Sequence, residues 1–206
     1  MPPAQPSAIV NAANERCLGG GGVDGAIHKA AGPELRKLCE ALPEVAPGVR
    51  CPTGDAVSTK VCGALQSTHV IYTVGPNVSG RRYENDISDR TTDPALLPAA
   101  YERTFEVASE LGLAAVALPA VSCGVFGYPL ADAARIGTRA AVASKIDHVE
   151  FVLFSEDLYD IFATAAEMSS GTSGATERSG GASSFRIFPI TPRPGASNIG
   201  RPAMAW

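Results

Sequence analysis

No apolar run in this 206-residue chain approaches the roughly 18 residues of a membrane-spanning helix, and the N-terminus carries no secretory hydrophobic region. Charged residues are scarce at 18%, and they balance to a net charge of −4. That balance argues against a protein that holds nucleic acid mainly by electrostatics. Cysteines stand at 17, 39, 51, 62 and 123, with no C-x-x-C pair and no zinc-like spacing. An odd, scattered set suits reduced thiols rather than a disulfide framework. The expectations are a cytoplasmic protein with no membrane partner and no metal site, long enough for one core with length to spare.

What the chain does have is glycine in a telling place. Ile9-Val10-Asn11-Ala12-Ala13-Asn14 reads as a short buried strand ending in two asparagines, and Gly19-Gly20-Gly21-Gly22 follow within a loop. Glycine lets backbone N–H groups approach a ligand closely, and a helix opening there adds unpaired amide donors and the positive end of its dipole. The segment therefore predicts a phosphate-cradling turn. Asp24 and His28, four apart, share one face of that helix, and Asp24 in the first turn sits where the dipole favours its ionised form. Taken singly, a first-turn acid and a half-buried histidine are ordinary, and the asparagines and glycines beside them are what single them out. Gly20-Gly21-Gly22-Val23-Asp24-Gly25 formally satisfies the dinucleotide-binding pattern G-x-G-x-x-G. That pattern needs a strand running directly into the turn, whereas Asn14–Leu18 intervene here and the helix is short.

Strand patterns are expected at 8–13, 55–61, 69–74, 114–118 and 149–154. Helices are expected at 23–31, from Pro33 to about 42, from Pro94 for about 18 residues, at 130–144 and at 156–167. Residues 77–93 read as a long polar surface loop. Alternating strands and helices imply a sheet covered on both faces. After Met168 the composition turns rich in Ser, Gly, Pro and Thr, so residues 1–168 are expected to fold and 169–206 to form a disordered tail. Within that tail, Phe185-Arg186-Ile187-Phe188 reads as a weak docking segment.

Residues 9–32, IVNAANERCLGGGGVDGAIHKAAG, together with 118–129, LPAVSCGVFGYP, resemble the motifs of the macrodomains. The likeness is to the MacroD-type branch, which hydrolyses mono-ADP-ribose. Thr53-Gly54-Asp55-Ala56 and His69–Pro76 resemble the family's middle strands, so the match runs in order from about residue 8 to 167. The resemblance implies a three-layer α/β/α sandwich around a mixed, mostly parallel sheet. Its partners would be ADP-ribose and mono-ADP-ribosylated proteins, with no cofactor. Poly(ADP-ribose) and nucleic acid are disfavoured by the acidic balance, and a monomer is expected.

The resemblance also assigns roles. Asn11 would support the strand end, Asn14 would bond the distal ribose, and Gly20, Gly21, Gly22 and Val23 would line ribose and phosphates. Asp24 would orient or deprotonate the attacking water, and His28 would hold Asp24 or contact the leaving group. From the other side Ser122, Cys123, Gly124, Val125, Phe126 and Tyr128 would wrap the diphosphate, with Phe126 against the distal ribose; the branch more usually has threonine where Cys123 stands. Phe154 falls where the family often packs an aromatic on adenine, and a core role is equally open for it. Ahead of Ile9 the family's pattern has a strand and a Gly-Asp-Ile-type segment whose aspartate reads adenine, whereas MPPAQPSA has neither acid nor strand pattern. The first edge strand is thus expected to be missing, through a late start or true absence. The implied activity is hydrolysis of mono-ADP-ribose from acidic side chains and of O-acetyl-ADP-ribose. The alternatives are a non-catalytic ADP-ribose reader or an impaired, truncated domain.

Overall fold

The computed structural model describes residues 6–80, 93–170 and 184–189. In chain order its elements are β1 (Ala8–Ala12), α1 (Gly22–Ala31), α2 (Pro33–Glu40), β2 (Ala56–Lys60), β3 (His69–Thr73) and α3 (Leu96–Glu110). There follow β4 (Ala115–Leu118), α4 (Leu130–Ala143), β5 (His148–Leu153), α5 (Glu156–Ser170) and β6 (Ser184–Pro189). The strands form one sheet in the order β2-β3-β1-β4-β5-β6. Among the described residues only β2 runs antiparallel to its neighbour, and the other four pairings are parallel. This is the mixed, mostly parallel sheet between helical layers that the sequence led us to expect.

The period-2 alternation of strand side chains divides the core into two layers. Ile9, Val70 and Tyr72 point to one face, where they pack with Ile27 and Leu35 of α1 and α2. Ala8, Val10, Ile71, Val116 and Phe151 point to the other, against Leu97, Tyr101 and Phe162 of α3 and α5. Both faces of the central strands are therefore buried, which accounts for their nearly continuous apolar sequences. Local punctuation sets the helix ends. Gly32 takes φ +74° and donates its N–H to the His28 carbonyl, closing α1, and Pro33 opens α2.

One expectation is revised. The stretch expected as a disordered tail begins instead with the last two residues of α5, Ser169 and Ser170, and it holds the edge strand β6, paired in parallel with β5 from His148↔Ser184 to Leu153↔Pro189. Composition averaged over 169–206 concealed this. Ser184-Phe185-Arg186-Ile187 alternates polar and apolar residues ahead of Phe188 and Pro189, and backbone pairing to an open edge is nearly blind to the composition around it. The sheet position beyond β5 is thus filled by a late strand. The polar stretch expected as a surface loop falls largely outside the described residues, as does the remainder of the tail.

Candidate functional site

The carboxyl ends of β1, β4 and β5 open into one pocket of about 720 Å³. Open α/β sheets bind ligands in this position. The β1–α1 loop contributes Asn14, Gly20 and Gly21 to its wall, and the first turn of α1 contributes Gly22, Val23 and Asp24. The β4–α4 loop contributes Ser122, Gly124, Val125 and Phe126, and Val152 and Phe154 border it from the end of β5. The two glycine-containing loops, about a hundred residues apart in sequence, therefore meet across a single concavity. Adjacent parallel strands bring them there, since β1 and β4 are neighbours.

Backbone geometry makes the pocket suitable for an anion. Gly21 caps α1 without any side-chain hydrogen bond, and the first intrahelical contact in the loop is from the Gly25 N–H to the Gly21 carbonyl at 3.4 Å. The opening amides of the helix are thus left to a ligand. In the facing loop Ser122 takes φ +63°, a left-handed conformation rare for a side-chain-bearing residue, and its buried Oγ makes no hydrogen bond among the described residues. The loop lies against the end of β3 at Gly75, where a Cβ would collide with Ser122 Oγ.

Asp24 is the acid of the site. It is buried at 3% exposure, and Asn11 Nδ2 donates to its Oδ1 at 2.7 Å. Burial pushes the Asp24 carboxyl above the usual carboxylate range, against the opposing pull of the Asn11 hydrogen bond and of His28. Desolvation thus outweighs the influences that favour ionisation, whereas the sequence had suggested that the helix dipole would decide. His28 Nε2 stands 3.4 Å from Asp24 Oδ1 and has no hydrogen-bond partner among the described residues. Burial lowers the His28 pKa below its ordinary value, against the pull of Asp24 and with some help from Arg36, so the imidazole is neutral at pH 7.

The structure sorts the expected residues into three groups. Asn14, Gly20, Gly21, Gly22, Val23, Asp24, Ser122, Gly124, Val125, Phe126 and Phe154 reach the pocket. Phe154 is 64% exposed, which excludes the core role that its sequence left open. Asn14 is engaged with its own loop, with Nδ2 donating to the Gly19 carbonyl and Oδ1 accepting the Arg16 N–H. Asn11 and His28 stand behind the wall, in contact with Asp24 rather than with the cavity.

Cys123 and Tyr128 are corrections, because neither lines the pocket. Both are buried among core side chains, their amides already donate to the Ala120 and Ser122 carbonyls, and the Tyr128 hydroxyl donates to the Pro94 carbonyl. A tight loop needs internal hydrogen bonds to hold its shape, and these two residues supply them. Sequence reasoning missed the apolar floor, namely Val10, Ala12, Ala117 and Val121, and the close approach at Gly75. The only signal for these was the position of each just at or beyond a strand end.

The model of the Macro domain family matches residues 10–137. A Macro domain-containing protein of Xanthomonas axonopodis pv. citri is 43% identical over 164 residues, covering 76% of this chain and 86% of that protein. The O-acetyl-ADP-ribose deacetylase 1 of Pantoea vagans is 39% identical over 160 residues, covering 75% of this chain and 87% of that one. Among solved structures, the Oceanobacillus iheyensis macrodomain with ADP superposes with a TM-score of 0.68 at 36% identity, covering 81% of this chain and 85% of the other. The Trypanosoma brucei macrodomain in complex with ADP-ribose gives a TM-score of 0.61 at 37% identity, covering 78% and 63%.

Proposed function

The chain belongs to the Macro domain family, and from that premise we propose that its pocket binds ADP-ribose and hydrolyses the ester joining it to an acidic protein side chain. O-acetyl-ADP-ribose, which carries an ester of the same kind, is the second substrate, and the likeness to a named deacetylase supports it. This reading puts the protein in the MacroD-type branch. The observation that carries it is the convergence of two amide-rich loops on one pocket whose wall holds a single buried carboxylate, Asp24, aimed by Asn11.

The diphosphate lies across the first-turn amides of α1 and the Ser122–Gly124 turn, where no cation is needed. The adenine packs on Phe154, and Phe126 borders the distal ribose. Asp24 then faces the linkage. Its ionised form takes a proton from water as that water attacks, the ester bond breaks, and Asp24 passes the proton to the departing oxygen, so that the products are free ADP-ribose and the restored side-chain carboxyl group, with Asp24 ionised again. Rigid placement of two phosphates and two sugars lowers the barrier by several kcal/mol, up to roughly 7–11 in ideal cases, and the carboxylate adds about 10²–10⁴-fold. Acyl esters are labile, so this modest apparatus suffices.

The test pairs catalysis with binding. The protein is incubated with a glutamate- or aspartate-linked mono-ADP-ribosylated protein, and free ADP-ribose is measured. Alongside, ADP-ribose is titrated in a thermal-shift assay, since a ligand of the folded state raises its melting temperature. Release together with a shift is the expected result. A shift without release reduces the protein to a reader, and no shift overturns the assignment of the pocket.

A further inference from the structure

A second concavity lies on the other side of the glycine loop. It encloses about 570 Å³ between that loop and helices α1 and α2, and its lining includes Arg16, Lys29, Arg36 and His28. Among the described residues no carboxylate lines it, in a chain whose net charge is −4. Arg36 is partly occupied, donating from Nη1 to the Leu18 carbonyl at 3.0 Å and pairing through Nε with Glu40. Arg16 and Lys29 form no ion pair among the described residues. Two uncommitted cations therefore face this cleft, beside an Arg36 that Glu40 already pairs.

Its position gives these charges a use. Gly20 lines both this cleft and the ligand pocket, so one strand of backbone separates them. His28 borders the cleft and stands 3.4 Å from Asp24 on the pocket side. The rim between them, Gly20–Gly22, is exposed and carries no side chains. On the hydrolase reading, this low rim is what lies between a polypeptide tethered to ADP-ribose beside Asp24 and the cleft. The phosphates have no need of Arg16 or Lys29, because the helix amides on the other side already serve them.

We propose that the cleft docks the acidic polypeptide segment flanking the modified side chain, with Arg16 and Lys29 pairing its carboxylates. The proposal rests on the hydrolase reading above and narrows its substrates to sites embedded in runs of Asp and Glu. Complementary charge here governs encounter and selection, and it weakens as salt rises.

The experiment uses the full chain and an Arg16→Gln/Lys29→Gln double variant, with fluorescence anisotropy of three unmodified probes. These are a labelled Asp/Glu decapeptide, its Asn/Gln counterpart and a single-stranded RNA of ten nucleotides. The wild type is expected to bind the acidic peptide and not the amide peptide, with the double variant weakened roughly tenfold. Binding of the acidic peptide that is absent in the wild type, unchanged in the variant or matched by the amide peptide overturns the proposal. RNA binding as tight as the peptide's overturns it too, because the cleft would then read charge alone. Affinity for ADP-ribose and turnover of O-acetyl-ADP-ribose are expected to stay within twofold in the variant; a parallel loss of both means a disturbed loop and also overturns it. If the wild type releases no ADP-ribose from any substrate yet holds the acidic peptide through these two residues, the hydrolase reading fails and the docking assignment stands.

Discussion

Asn11 Nδ2 donates a 2.7 Å hydrogen bond to Asp24 Oδ1 across thirteen residues of sequence, and both side chains are buried. The last residues of β1 thus aim the acid at the start of α1, and Asn11 acts through Asp24 rather than on a ligand. Asn11→Ala removes the largest influence opposing the burial that raises the Asp24 carboxyl. A hydrogen bond to a charged group contributes about 1.5–3 kcal/mol, so kcat/KM is expected to fall at least tenfold near neutral pH. The acid limb of its pH profile moves to higher pH, while ADP-ribose affinity holds. An unshifted limb in a pH series of initial rates would separate Asn11 from Asp24.

Asp24→Asn is expected to cost about 10²–10⁴-fold in ADP-ribose release, with little loss in ADP-ribose binding. Stability moves the other way. The folded-state pKa of Asp24 is raised above 3.8, so the stability it contributes is present below that value and lost as pH rises through the folded pKa. At neutral pH the buried carboxylate is a liability that the isosteric amide removes, while still accepting from Asn11. The variant should therefore melt above the wild type at pH 7.5, and this advantage should shrink toward pH 4. Differential scanning calorimetry at both pH values checks the sign.

Much of this site was legible because its chemistry is local. Four glycines after a strand, a first-turn acid and a second glycine loop after another strand each carry their meaning within a dozen residues. What escaped was set by contacts through space. The i, i+4 spacing of Asp24 and His28 gives a shared helix face, yet α1 runs between two cavities, and Asp24 borders one while His28 borders the other. Cys123 and Tyr128 sit in the middle of a ligand-facing motif but turn inward, because the loop spends their amides on its own closure. β6 was lost in the low-complexity composition around it, since its stability derives from the edge of β5 and not from its own sequence.

The loop and α1 also touch without space to spare. A Cβ on Gly25 would lie 2.6 Å from the Gly20 carbonyl oxygen, a backbone atom that can yield only if the glycine loop moves. Gly25→Ala is expected to destabilise the fold by about 1–3 kcal/mol and to weaken ADP-ribose binding, because the displaced loop carries the amides of both functions. Gly21→Ala, where a Cβ meets nothing within 4 Å, is the matched control. Chemical denaturation with ligand titration of both variants distinguishes steric displacement from a general intolerance of side chains in the loop.

Removal of the chain after Ser170 tests whether β6 is integral to the sheet. Ile187 packs on the larger core cluster, and the strand satisfies the outer backbone groups of β5 over six paired residues. Without it β5 presents a bare edge whose inward side chains, Val149, Phe151 and Leu153, remain fully apolar. Such an edge invites pairing with a second chain. The truncated protein is therefore expected to melt several degrees lower, in line with a loss of about 1–2 kcal/mol, and to form concentration-dependent oligomers in light scattering. Addition of a synthetic peptide of residues 182–191 should reverse the association, because it refills the same backbone register. A truncated protein that stays monomeric with an unchanged melting temperature would mean that β6 rests on the sheet without supporting it, and that β5 tolerates its open edge by the half-polar face it presents through His148 and Glu150.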